Sequence, residues 1–524
     1  MPTAHSPTPL PQNTGQETVT KPKVLDLEQI KFDPHWALQT PPSVMIRRRI
    51  LPLVELDGKL HVAVEKTLDP ASAKLLQRLS GFTPVPVIAT AESIRSLQTR
   101  LFGNLRSASG QDRPIIESSS TRTTGRDGNS EEAISVCDQL LKTGLIRGAS
   151  DIHFNVQRDG SVQVRLRIDG VLSEEFVLPE TLHLALFNRL KVLGGLDISE
   201  KRASQDGSFA FEPGGILPRA EIRMATIPAR HGERITLRLL IREDNGLTLD
   251  RLGFSEQHRE QFSRAINLSH GMILITGPTG SGKSTTLYAA IKHLLAQKTV
   301  NVMTVEDPVE YEIDGVTQTE VDARREKVSF ASSLRSILRH DPDVVMLGEI
   351  RDRETAELAV RAALTGHLVL STLHTNTAVG AVTRLLDLGV DRFLIATVLR
   401  LVAAQRLVRE LCPHCCTQDR ITEAEAMLLH QLNLEGEPCR RANGCLHCAG
   451  KGFVGRSGLF EVFPIGRDES HLIGNASSVD SLESQLTELR DSKGNPSLMA
   501  NGMQQVNTGK TTIEEVIKAT ADFV

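Results

Sequence analysis

The stretch Gly277-Pro278-Thr279-Gly280-Ser281-Gly282-Lys283-Ser284-Thr285 constrains the fold more than any other part of this chain. It fits G-x-x-x-x-G-K-[ST], the loop whose glycines let the backbone wrap phosphates closely. An apolar run, Met272 to Ile275, precedes it, and an apolar-periodic segment, Leu287 to Leu295, follows. Strand, glycine loop, helix is the context this loop needs. Its backbone N–H groups and the helix N-terminus then face an anion. Lys283 reaches the β- and γ-phosphates of such a nucleotide, and the Ser284 hydroxyl is placed to ligate Mg²⁺.

Downstream apolar runs alternate with helical patterns, which predicts a parallel sheet of βαβ units. Val300 to Val305 leads into Glu306-Asp307-Pro308-Val309-Glu310. Val344 to Leu347 leads into Gly348-Glu349-Ile350-Arg351-Asp352, and His367 to Thr372 leads to Leu373-His374. Ligands sit at the carboxyl ends of strands in such sheets. A carboxylate there can hold Mg²⁺ through water or orient an attacking water, so Glu349 and Glu306 are the candidates.

A chain of 524 residues exceeds what one core organises. Residues 1–20, rich in Pro, Thr and Gln, read as a disordered tail without the pattern of a secretory signal. Residues 21–103 read as a small α/β docking module. Strand-like runs at Leu51–Val54 and Leu60–Val64 bracket the hairpin signal Asp57-Gly58, and Ser72 to Leu79 has helical spacing. Residues 104–130 have linker composition, and 131–245 form a second α+β module. It opens on a helical pattern from Glu132 to Leu145. Three alternating runs follow, in which Arg165, Arg167, Arg223, Arg234 and Arg238 oppose the apolar residues. Such a face is either solvated or phosphate-recognising, because guanidinium forks match phosphate oxygens. A short joint near Asp244-Asn245-Gly246 leads to the nucleotide-binding domain, 246–405.

Cys412-Pro413-His414-Cys415 and Cys445-Leu446-His447-Cys448 suit a tetrahedral Cys₄ zinc site within 406–460. Cys416 and Cys439 could each replace a ligand, and redox or buried cysteine is the alternative for the set. Cys137 reads as a core residue of its helix. Short helices fill 461–524, with Thr511 or Thr512 as the last N-cap. No apolar stretch approaches the ~18 residues that cross a bilayer.

Together these motifs resemble the secretion and pilus-assembly ATPases of the GspE/PilB type, from roughly Leu51 to the C-terminus. Thr304 to Glu310 resembles that family's Asp box, Asp341 to Asp352 its Walker B segment, and Thr365 to Asn376 its His box. Ala149 to His153 and Lys201 to Gly207 resemble signatures of its second N-terminal domain, and Gly455 to Glu461 matches its C-terminal part. The strand before Glu349 carries no closing aspartate, as in the family. The segment Val321 to Val328 is more charged than expected before Phe330, and no function attaches to it.

The resemblance implies an α/β, multidomain fold: a RecA-like P-loop core, α+β N-terminal domains of which 131–245 is PAS-like, and a zinc-binding tetracysteine insertion. It implies a homo-hexamer using ATP, Mg²⁺ and Zn²⁺. The expected place is the cytoplasm, peripherally at the inner membrane. The expected partners are a membrane platform protein and a recruiter of the cytoplasmic domain. Carried over, Glu349 is the catalytic glutamate, Glu306 assists at metal or water, and His367 and His374 sense the nucleotide state. Arg223 and Arg238 match arginine fingers, while Arg335 and Arg339 are structural or inter-subunit. The powered process is type II secretion or type IV pilus assembly. The alternatives are a retraction motor or a DNA-translocating motor. A net charge of −4 and 4% aromatic residues count against specific nucleic-acid binding.

Overall fold

The computed structural model describes residues 24–27, 30, 36–37, 40, 42–102, 128–213, 219–241, 247–321, 329–431, 439–476 and 478–520. The N-terminal tail, nearly all of the 104–130 linker, the 244–246 joint and residues 322–328 lie outside them.

The first module holds three strands in spatial order: β1 (Ile50–Leu56), β2 (Lys59–Val64) and β3 (Thr83–Ile88). Asp57 and Gly58 both have positive φ, 51° and 72°, as a two-residue hairpin turn requires. The helix Pro70–Ser80 starts where the Asp69 side chain accepts from Ser72 N–H at 2.9 Å, and it stops at left-handed Gly81. Strand β3 runs parallel to β2 at the sheet edge, where its Pro84 and Pro86 are tolerated.

The second module is a six-stranded antiparallel sheet. Its strands are β4 (Ala149–Val156), β5 (Val162–Ile168), β6 (Val171–Leu178), β7 (Gln205–Phe211), β8 (Ala220–Ala229) and β9 (Gly232–Ile241), ordered β6-β5-β4-β9-β8-β7. The alternating apolar residues of β5, β8 and β9 are buried with residues of the helices Gly128–Ile146 and Glu180–Leu193 in one core. Cys137 is part of that core, and burial pushes its thiol up to about 12.

The third module is a seven-stranded sheet of β10 (Gly271–Thr276), β11 (Val302–Glu306), β12 (Val316–Glu320), β13 (Val344–Leu347), β14 (Leu368–Leu373), β15 (Leu399–Leu411) and β18 (Phe453–Pro464). The order is β12-β11-β13-β14-β10-β15-β18, parallel except for β18. Every residue of β10, β13 and β14 is buried, as expected for a sheet covered by helices on both faces. Strand β15 runs through the boundary expected at 405/406. The cysteine-bearing segment is therefore an insertion between β15 and β18, two neighbouring strands of the nucleotide-binding sheet. It carries a small ribbon of β16 (Thr417–Asp419) and β17 (Cys439–Arg441). Four helices follow β18, from Arg467 to Thr520, anchored by a buried ion pair between Arg490 and Glu461 at 3.2 Å. None of the described helices is long and apolar enough to cross a membrane.

The first module packs against the insertion. Leu446 and Ala449, within and just after the second cysteine pair, join the apolar cluster of β1, β2 and their helices. A Cβ built on Gly450 would lie 2.7 Å from Leu56 Cδ2, so the backbone there closely approaches the first module, and its φ of 75° favours glycine.

Candidate functional site

Strand β10 delivers the chain into the glycine loop at the carboxyl edge of the sheet, and the helix Lys283–Gln297 leaves it. Gly277, Gly280 and Gly282 have φ of 151°, 80° and 87°. Gly282 must also be small because a Cβ there would sit 2.9 Å from Gln405 Nε2 of β15. Gln405 Oε1 in turn accepts from Thr286 Oγ1 at 2.8 Å, which fixes the loop against its neighbouring strand. Lys283 Nζ donates to the carbonyls of Gly277 (2.8 Å) and Pro278 (3.1 Å). Its burial pulls its pKa down to about 8, against the pull of the Glu349 carboxylate.

A polar cleft of about 360 Å³ opens over this loop. Glu349 enters it from the end of β13, with its side chain 14% exposed. One of its oxygens pairs with Arg351, and the other lies 3.2 Å from His374 Nε2. Arg351 also reaches Asp307 Oδ2 at 3.6 Å, and its hydrogen bond to Glu349 raises its own pKa. Lys283, Ser284, Glu349 and His374 thus share one cavity.

Two further expected site residues are set differently. His367 precedes β14 and accompanies the carbonyl of Ala362 at 2.9 Å. Strand β14 separates it from His374 by about 20 Å of extended chain, because six residues rise ~3.3 Å each. It therefore sits at the amino edge of the sheet, away from the phosphate loop of its own chain. Glu306 lines the cleft from the end of β11 but is engaged within the protein. It is 3% exposed, and its carboxylate accepts from Tyr288 Oη, from Thr304 Oγ1 at 2.5 Å and from Gln318 Nε2 at 3.0 Å. Three donors take up most of the acceptor sites of that carboxylate.

The residue that reaches the loop from this segment is Glu310, which the reading of strand ends passed over. It lines the cleft together with Ser284. Burial raises its pKa, while Ser284, Arg238 and Arg223 pull it back down. The signal was present in the spacing: Glu306 closes β11 as a strand residue, and only a residue several places beyond can reach back over the loop.

Those two arginines are cross-strand partners on β8 and β9. Arg238 Nε lies 3.1 Å from Asp151 Oδ1, and Arg223 Nη2 lies 3.9 Å from Glu320 Oε1 of β12. They line a cleft of about 780 Å³ between the second module and the edge of the nucleotide-binding sheet. Arg335 is spent on an ion pair with Glu354, and Arg339 Nη1 donates to the Arg335 carbonyl at 3.1 Å.

The sulfurs of Cys412, Cys415, Cys445 and Cys448 all lie within 4.8 Å of one another. Three of their separations are 3.8 Å. A tetrahedron of ~2.3 Å Zn–S bonds has edges of about 3.8 Å. Backbone N–H groups of Gly444, Cys445 and Gly452 point at Cys415 or Cys448 sulfur from 3.3, 3.2 and 3.1 Å, the donors that thiolate ligands accept. The residues therefore fit zinc. Cys416 and Cys439 lie outside the cluster: Arg440 donates to Cys416 at 3.7 Å, and Cys439 is buried in β17.

With this geometry in place, comparison with known proteins is direct. A family model described as "Type II/IV secretion system protein" matches residues 127–518, and one described as "MshEN domain" matches 22–108. Type II secretion system protein E of Pseudomonas aeruginosa is 45% identical over 389 residues, spanning 74% of this chain and 76% of that one. Type II secretion system ATPase E of Vibrio cholerae serotype O1 is 43% identical over 389 residues, 74% and 75% of the two chains. The X-ray structure of the Legionella pneumophila ATPase DotB aligns with a TM-score of 0.55 at 21% identity, over 74% of this chain and 96% of that one, a likeness of fold.

Proposed function

The chain belongs to the type II/IV secretion system protein family, and from that membership we propose that it hydrolyses ATP to drive type II secretion. The curated relatives named as secretion components favour that process over pilus assembly. The observation that carries the reading is the meeting of Lys283, Ser284, Glu349 and His374 in one cleft, with Arg223 and Arg238 lining another cleft and acting by charge on Glu310.

Lys283 and the loop N–H groups hold the phosphates. Ser284 and Glu310 are placed to hold Mg²⁺, which when bound neutralises charge on the phosphate oxygens. Glu349 takes the proton of the attacking water, and its hydrogen bond to His374 ties that carboxylate to β14. Arg223 and Arg238 approach the γ-phosphate when the second module closes, so hydrolysis and domain position are coupled. The four cysteines would hold zinc, which would stabilise the insertion fold. Assembly as a hexamer, work at the inner membrane on a platform protein, and recruitment through residues 21–103 complete the proposal.

Glu349→Gln tests it. We expect turnover to fall by roughly 10²–10⁴-fold, the range of a positioned general base, with ATP still bound. Unchanged turnover in a folded variant would remove Glu349 from the chemistry.

A further inference from the structure

The buried group around Glu306 has no place in the chemistry above, yet it is built with care. Tyr288 is fully buried on the helix that leaves the phosphate loop. Burial and the facing Glu306 carboxylate hold the proton on its phenol well above the usual pH range. Its Oη is therefore a donor to Glu306, and the same oxygen accepts the Glu310 backbone N–H at 3.2 Å. Gln318 of β12 completes the set. Its Nε2 donates to Glu306 Oε1 (3.0 Å) and to the Tyr311 carbonyl (3.2 Å), and its Oε1 accepts from Ile313 N–H (2.8 Å). The rings of Tyr288 and Tyr311 pack with centroids 4.2 Å apart.

The segment after β11 is thus tied down at Glu310, Tyr311 and Ile313, and all three ties lead back to one buried carboxylate. Of these three, Glu310 is the one that lines the phosphate-loop cleft together with Ser284. We propose that Tyr288 and Glu306 are positioning residues that hold the Glu310 carboxylate against the Ser284 hydroxyl, and so set the affinity of the metal–nucleotide complex. A floppy segment would have to order Glu310 at each binding event, whereas three backbone ties pre-order it. Phenylalanine at 288 keeps the ring stack and deletes only the hydroxyl that joins the two glutamates. The inference rests on reading Ser284 and Glu310 as the Mg²⁺ side of the site.

The test is a cycle of Tyr288→Phe, Glu310→Gln and the double variant in the full chain, scored by ADP affinity with and without Mg²⁺. Tyr288→Phe should cut the tightening that Mg²⁺ gives to ADP binding by roughly 10-fold, in the 10–100-fold range of lost supporting hydrogen bonds at metal sites. ADP affinity without Mg²⁺ should not move. Glu310→Gln should show the same signature, and the double variant should be no worse than Glu310→Gln alone. Gln318→Leu, which cuts the other ties, should shift the Mg²⁺ effect in the same direction and serves if Tyr288→Phe does not fold. Multiplying losses in the double variant, or an unchanged Mg²⁺ effect in folded Tyr288→Phe, would overturn the positioning role. An unchanged Mg²⁺ effect in Glu310→Gln would instead overturn the reading of Glu310 beneath it.

Discussion

Lys283 carries a pH signature that follows from its burial. With its pKa lowered to about 8 it is charged below that pH and increasingly neutral above it. Phosphate oxygens select the charged form, so a group whose pKa is low when free and raised when bound takes up a proton on binding at higher pH. Nucleotide affinity should therefore be flat below about pH 7 and fall by up to about tenfold per unit above pH 8. Calorimetry at pH 8.5 in two buffers of different ionisation enthalpy checks this, and an absence of proton uptake would detach Lys283 from the phosphates. At this scale the sequence pointed to the glycine loop and Glu349, which line one cleft, but could not rank the side chains within a single run. His367 and His374 share one apolar run, and only the strand bounds of β14 reveal that they flank opposite ends. Glu306 and Glu310 share one acidic run, and only the donors around Glu306 reveal which of the two is spent. Contacts made by Tyr288 and Gln318, 18 and 12 residues away, have no local signature.

Elements were legible in proportion to their periodicity. The phosphate-loop helix and the buried parallel strands read cleanly because runs of apolar residues between glycine and charged stretches have few other solutions. In the second module β5, β8 and β9 alternate strictly, while edge strand β7 has no fully buried residue and left no pattern to find. Strand β3 was hidden by its prolines. The cysteine pairs announced a metal site, but not that the strands on either side of it, β15 and β18, pair over most of their length. From this placement, Cys445→Ser should release the metal and loosen residues 411–453 while the phosphate loop still binds nucleotide, since the remainder of the sheet keeps its own core. Elemental analysis with hydrogen exchange across the insertion reads both halves. Unchanged metal content would exclude Cys445 as a ligand.

At the scale of the molecule, the second module meets the nucleotide-binding sheet through Arg223 and Glu320, and the charges of its two arginines pull down the pKa of Glu310. Arg223→Ala should therefore lower turnover, by roughly 10³-fold or more if it acts as a finger on transition-state charge, while nucleotide affinity changes little. Steady-state rates beside equilibrium binding decide this, and equal losses in both would make Arg223 a ground-state contact instead. Composition and pattern set apart the three stretches of chain that carry the three-, six- and seven-stranded sheets. How the parts touch was not legible there, because such contacts join residues hundreds of positions apart, as Leu56 and Gly450 do. Strand β15 ties those contacts to the site. Its Gln405 abuts the phosphate loop, and its last residue, Leu411, adjoins the first cysteine ligand, about 20 Å further along one extended backbone. Between the last two of these cysteines, Leu446 packs against the first module. Phosphate loop, strand β15, cysteine cluster and first module are thus joined in one continuous series of contacts.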